Sequence, residues 1–144
     1  MVAALAAGLR YRLPAGPPPD VEPAHHFHEA PAVPVADYER GPVLVTVEYR
    51  VPADRAADFR AAAGPLRAAR LREGAIRWDL FQDVEDAERF VEVFLVESWV
   101  DHLRQHERVT DEDWADVAAA RALHAGDRPP RVTHLVAASP SRTE

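Results

Sequence analysis

Eight of the 13 prolines in this 144-residue chain lie between Pro14 and Pro42. Proline has no amide hydrogen to donate and its ring fixes φ, so such a density excludes both helix and interior strand. The fold must therefore be built from the residues beyond this stretch, and Gly41 to Ala138 is long enough for one domain. Residues 14–40, with Gly16-Pro17-Pro18-Pro19, carry no apolar period and read as an extended linker. His25, His26 and His28 sit inside it, where a flexible chain offers a metal no preset geometry, so no metal site is expected.

Ahead of the linker, Ala3 to Leu9 is apolar and is followed by Arg10 and Arg12. A spanning helix needs about 20 apolar residues, so this run cannot cross a bilayer alone. A signal peptide would place its charge before the apolar run. By pattern, residues 1–13 read either as a loosely packed N-terminus or as the last turns of a membrane helix, with the arginines at its cytoplasmic exit. Net charge is −7, with 3 basic and 5 acidic residues up to Arg40 and 14 and 19 beyond it. Neither part has the basic footprint of a nucleic-acid binder, so no nucleic acid is expected as a partner. The absence of cysteine excludes disulfides and thiolate chemistry and fits a reducing cytosol.

From Gly41 onward the apolar period becomes regular. Val43, Val45, Val47, Tyr49 and Val51 alternate with Thr46, Glu48 and Arg50, the pattern of a half-buried strand. Asp54 is placed to cap a helix from Arg55 to about Arg72 with Phe59, Ala62, Ala63 and Leu66 on one stripe. Gly64-Pro65 predicts a kink or two short helices there, and Gly74 closes the element. Ala75 to Asp83 and Arg89 to Glu97 read as two strands around a polar hairpin connection, with Ile76, Trp78 and Leu80 on one side of the first. Ser98 with Asp101, and Thr110 with Asp113, have capping-box spacing. They open one helix near Trp99 and a second near Asp111, the latter with a stripe of Trp114, Val117, Ala118 and Arg121 and an end at Gly126. Arg131 to Ala138 is a last strand, and residues 139–144 are a polar tail. The order βαββαβ is that of an α+β, ferredoxin-like sandwich with a four-stranded antiparallel sheet. Helices cover one face of such a sheet. The other face needs a cover, strand 1 has apolar side chains to offer, and a second copy of the chain is the simplest one.

His102 and His106, four residues apart, share a helical face. A metalloprotease helix would have Glu directly after the first histidine, where this chain has Leu103, and no third ligand stands nearby, so no metal is expected. His106 could instead shuttle a proton or donate a hydrogen bond into a pocket, and Tyr49 could bond a phenolic ligand or simply pack. Trp78, Trp99 and Trp114 suit core or interface anchors. Glu107, Asp111, Glu112, Asp113 and Asp116 read as a solvated helix face, and nothing calls for a cofactor.

On its first strand, on Trp99 closing the third and on His106 along the next helix, 41–138 resembles the antibiotic biosynthesis monooxygenase-like domains. The resemblance implies a dimeric ferredoxin-like α/β barrel. That family includes cofactor-free oxygenases of aromatic polyketides, haem-degrading enzymes and members without known activity. A closer resemblance rests on Arg40 to Arg50, Gly74 to Trp78, Phe94 to Trp99 and His102 to Arg108. These segments are similar to the C-terminal soluble domain of actinobacterial major facilitator exporters in the group related to enterobactin exporters. Ala3 to Leu9 with Arg10-Tyr11-Arg12-Leu13-Pro14 resembles the end of their twelfth membrane helix. The implied protein is a transporter's cytosolic tail, at the membrane if attached and in the cytoplasm if separate. It would regulate, sense a ligand or dimerise rather than catalyse, with the membrane domain and a second copy as partners. Trp78, Trp99, His102 and His106 would line a pocket for a small aromatic ligand. Haem degraders carry an Asn in strand 1, absent here, and a longer Trp-to-His spacing, which disfavours haem chemistry. The alternative is a cofactor-independent monooxygenase in which Trp99 and Trp78 hold the substrate and His106 or Tyr49 assists proton transfer. A third reading is a dimerisation module without ligand.

Overall fold

The computed structural model describes residues 39–107 and 109–138, all within the unit Pro34–Glu144. The expected membrane-helix remnant, the linker histidines and the polar tail lie outside the described residues. Among the described residues four strands form one antiparallel sheet: β1 (Val43–Arg50), β2 (Arg77–Gln82), β3 (Arg89–Val96) and β4 (Arg131–Val136), in the order β2-β3-β1-β4. The helices are α1 (Ala56–Glu73), α2 (Trp99–Glu107) and α3 (Asp111–Arg121). The architecture is the ferredoxin-like α+β arrangement that the order of elements implies, with the second helical region in two pieces.

Period two sorts the strands into two faces. Val43, Val45, Val47 and Tyr49 point inward with Phe90, Phe94 and Val96, and meet Phe59 and Leu66 of α1 and Val117 and Ala120 of α3 in one core. The register carries this face across the sheet, since Val45 pairs with Phe94 on one side and His134 on the other. The apolar row of β1 therefore packs against the helices and is not free for a partner, contrary to the expectation from sequence. The outer face takes its apolar character instead from Leu44, Val91, Val93 and Leu95, with Phe81 54% and Leu135 51% exposed.

Further expectations are corrected. Helix α1 runs as one 18-residue element through Pro65. Phe59, Ala63, Leu66 and Ala69 bury on both sides of the proline, while Pro65 and Ala61 are exposed, so packing holds the helix and water can solvate the carbonyl that lost its donor. Asp54 does not cap α1. It lies in a 3-10 turn, Ala53–Arg55, and makes no capping bond, while Arg55 pairs with Asp58 at 3.0 Å. On α3 the buried stripe is Asp113, Val117 and Ala120, with Trp114 46% exposed, and the helix ends at Arg121. Asp113 turns inward because the Thr110 hydroxyl and the Arg72 guanidinium both bond its carboxylate, so the acidic run is not wholly a solvated face. Ile76 is exposed, whereas Trp78 and Leu80 pack against the core. Gly74 closes α1 as expected, at φ 116°, a conformation that disfavours any Cβ.

Candidate functional site

Two polar clusters occupy the inward face of the sheet. The first begins where β3 hands over to α2. The Ser98 hydroxyl accepts from the Asp101 amide at 3.2 Å and donates to its carboxylate at 2.6 Å, fixing the first turn. The Trp99 amide donates to the Arg40 carbonyl at 3.1 Å. Position 41 must be glycine for this approach, because a Cβ there would lie 1.9 Å from the Glu97 carbonyl oxygen. With the first turn set, His102 points into the protein and is 2% exposed. Its ring centre is 5.3 Å from Trp99, 5.1 Å from His106 and 4.8 Å from His134 on β4, and His134 lies 5.6 Å from Trp99. His106, one turn beyond His102, stands at the exposed edge of the group.

His102 Nδ1 lies 3.1 Å from Gln105 Oε1. An amide oxygen only accepts, so with this side-chain assignment Nδ1 carries the proton and Nε2 is an acceptor. Both His102 Nε2 and Gln105 Nε2 are buried without a hydrogen-bond partner. Burial, reinforced by His134 and His106, lowers the His102 imidazole to about 4. Burial also lowers His106, helped by the positive charge of Arg70, and it lowers His134. At neutral pH this is a group of uncharged imidazoles, bases rather than acids.

The second cluster is centred on Glu92 of β3, fully buried between Phe90 and Phe94. Its Oε2 accepts from the Tyr49 hydroxyl at 3.0 Å. Its Oε1 accepts from Arg70 Nε at 2.8 Å and Trp78 Nε1 at 3.1 Å. Arg70 also reaches Glu73 at 3.4 Å and lies over the Phe94 ring, 4.8 Å from its centre. Burial, and then the Glu92 charge, push the Tyr49 phenol far above its ordinary value. Tyr49 is therefore a donor committed within the core.

The candidate residues thus divide. Trp99, His102 and His106 stand together, while Tyr49 and Trp78 belong to the Glu92 cluster. Arg70 links the two, since its charge acts on His102 and His106. Sequence reasoning missed His134, Glu92 and Arg70. The signal for the first two was present, because each occupies an inward position of an alternating strand where an apolar residue is the norm. Arg70 had no local signal. Among the described residues no group of three His, Asp or Glu side chains is arranged to hold a metal ion. Two surface depressions lie elsewhere on the described residues. One of about 190 Å³ on the outer sheet face is lined by Leu44, Phe81, Val93 and Leu95 with Arg77 and Asp79. The other, of about 320 Å³, is ringed by Arg50, His124, Arg128 and Arg131 with Glu48 and Asp127.

Residues 1–142 match the family model described as transmembrane secretion effector, a major facilitator group. The chain belongs to this family. No curated protein matches it. Among solved structures it is similar to a Caulobacter crescentus protein assigned as an antibiotic biosynthesis monooxygenase, at 26% identity and TM-score 0.58 over 71% of this chain and 94% of that one. A Bordetella bronchiseptica protein with the same assignment shares 22% identity at TM-score 0.57, covering 67% and 96%. Rv0793 from Mycobacterium tuberculosis shares 22% at TM-score 0.55, covering 70% and 99%. The family member thus carries a domain with the fold of the antibiotic biosynthesis monooxygenases, and none of its described helices is long and apolar enough to cross a membrane.

Proposed function

We propose that 41–138 is the appended domain of a major facilitator-type exporter, carried on the cytoplasmic side of the membrane. It pairs with a second copy through the outer sheet face and holds a small aromatic ligand between α2 and the sheet. Its role is sensing rather than catalysis. The observation that carries this reading is the commitment of the polar core. Tyr49, Trp78 and Arg70, the groups best suited to hold or protonate a substrate, all bond Glu92. Trp99, which is half-buried with His102 and His134 beside its ring, and the imidazole group are the candidates that Glu92 does not engage.

A second reading, cofactor-independent oxygenation of a phenolic substrate, is favoured by one feature, the unpartnered buried Nε2 of His102. A neutral imidazole there could take a proton from a phenol. One experiment separates the readings. An anthrone-like phenol is titrated into the chain with calorimetry, and oxygen is followed at an electrode. Saturable binding that weakens about tenfold in Trp99→Ala, without oxygen consumption, is expected. Oxygen uptake that disappears in His102→Ala would establish the oxygenase, and absence of binding would leave a dimerisation module.

A further inference from the structure

We propose that His102, His106 and His134 form a proton-operated latch that holds α2 against the sheet while neutral and releases it, with whatever lies beneath it, on protonation. Three imidazoles meet here, with ring centres 4.8 and 5.1 Å from His102. A proton arriving at the buried Nε2 of His102 would create a cationic N–H with no acceptor.

Among the described residues, the charges that act on His102 all oppose its protonation. Helix α1 presents Arg70, whose charge opposes protonation of both His102 and His106. Strand β4 presents His134, and α2 itself presents His106. The inward side of β1 is Val43, Val45, Val47 and Tyr49. Of the carboxylates on these elements, Glu92 of β3 is held by Arg70 and Asp101 of α2 by Ser98, while Glu73 of α1 meets Arg70 at 3.4 Å through one oxygen and its Oε1 is buried without a partner. Charging His102 together with either neighbour places like charges about 5 Å apart beside a buried ring, where repulsion is strong. The helix is nine residues long, with its first turn anchored through Ser98 and the Trp99 amide, so it can swing from that end.

The sign follows from burial. An exposed imidazole titrates near 6.5, whereas His102 in the closed form is lowered to about 4. The open form takes the proton first, so the latch is shut at neutral pH and weakens as pH falls from about 6.5 toward 4.

Amide hydrogen exchange on the full chain, corrected for intrinsic rates, reads the latch without a ligand. Protection over 99–107 is expected to fall about tenfold between pH 7.5 and 5.0 while 43–50 and 56–73 keep theirs. His102→Phe, which keeps a ring but cannot be charged, is expected to keep α2 protected at pH 5.0. If that variant does not fold, NMR of the native chain serves instead, with a His102 titration below pH 6 that moves the α2 amides in step. Equal protection at both pH values, or a loss shared equally by β1 and α1, overturns the latch. Release of a ligand by acid rests on the pocket proposed between α2 and the sheet, and an anthrone-like phenol should bind about tenfold more weakly at pH 5.0. A phenol that binds at neither pH while α2 still loosens in acid removes the pocket and supports the latch. A phenol that binds while α2 protection never changes removes the latch and leaves the pocket.

Discussion

Glu92 is the residue on which most of the buried polar chemistry converges. A carboxylate at zero exposure is tolerated only because three donors meet it, from Tyr49, Arg70 and Trp78. Removing the acceptor strands all three, so Glu92→Ala should cost about 3–5 kcal/mol, the range for breaking a buried ion pair. Tyr49→Phe deletes one hydrogen bond to a charged acceptor and keeps the ring against Phe59, so a loss of about 1.5–3 kcal/mol is expected. Urea denaturation of the two variants checks both values, and near-neutral results would show that Glu92 is not the centre of this network. The His102 group differs, because two of its buried polar atoms, His102 Nε2 and Gln105 Nε2, are unsatisfied.

Among the elements, α3 is the one whose start is most strongly specified. Thr110 and Asp113 bond each other's backbone amides in a complete capping box, and Arg72 of α1 grips the same carboxylate. Thr110→Ala should therefore lower stability by about 1 kcal/mol, seen as a drop in the urea midpoint with unchanged slope. The hydroxyl and the guanidinium both hold Asp113 below the usual carboxylate range. Its contribution is thus present at neutral pH and is lost as pH falls below about 4. Helix α1 shows the opposite relation to its own sequence. Its proline is tolerated and its Asp54 is unused, because packing of Phe59, Leu66 and Ala69 outweighs both local signals.

For the whole molecule the outer sheet face is decisive. Leu44, Val93, Leu95, Phe81 and Leu135 leave an apolar patch that no described helix covers, and a second copy is its simplest cover. Light scattering during size exclusion should give twice the chain mass for the native protein. Leu135→Glu, which places a charge at a half-exposed position without touching the core, should shift the peak to the monomer. A native monomer at all concentrations would reject this face as an interface.

The split strand order, the alternation of β1, the capping box of α3, the Ser98 cap of α2 and the glycine stop of α1 were legible in the sequence. They depend on residues within four positions of each other, or on a period of two, and so on local sterics and hydrogen bonding. Only the tertiary structure decided that Glu92 meets Tyr49 from 43 positions away and Arg70 from 22. It also decided that His134 of β4 completes the histidine pair of α2. Such meetings depend on strand register and on where each helix crosses the sheet. The sequence by itself therefore placed Trp99, His102 and His106 on one short segment. The packing of that segment against β4 determined that one imidazole is buried, uncharged and short of a partner.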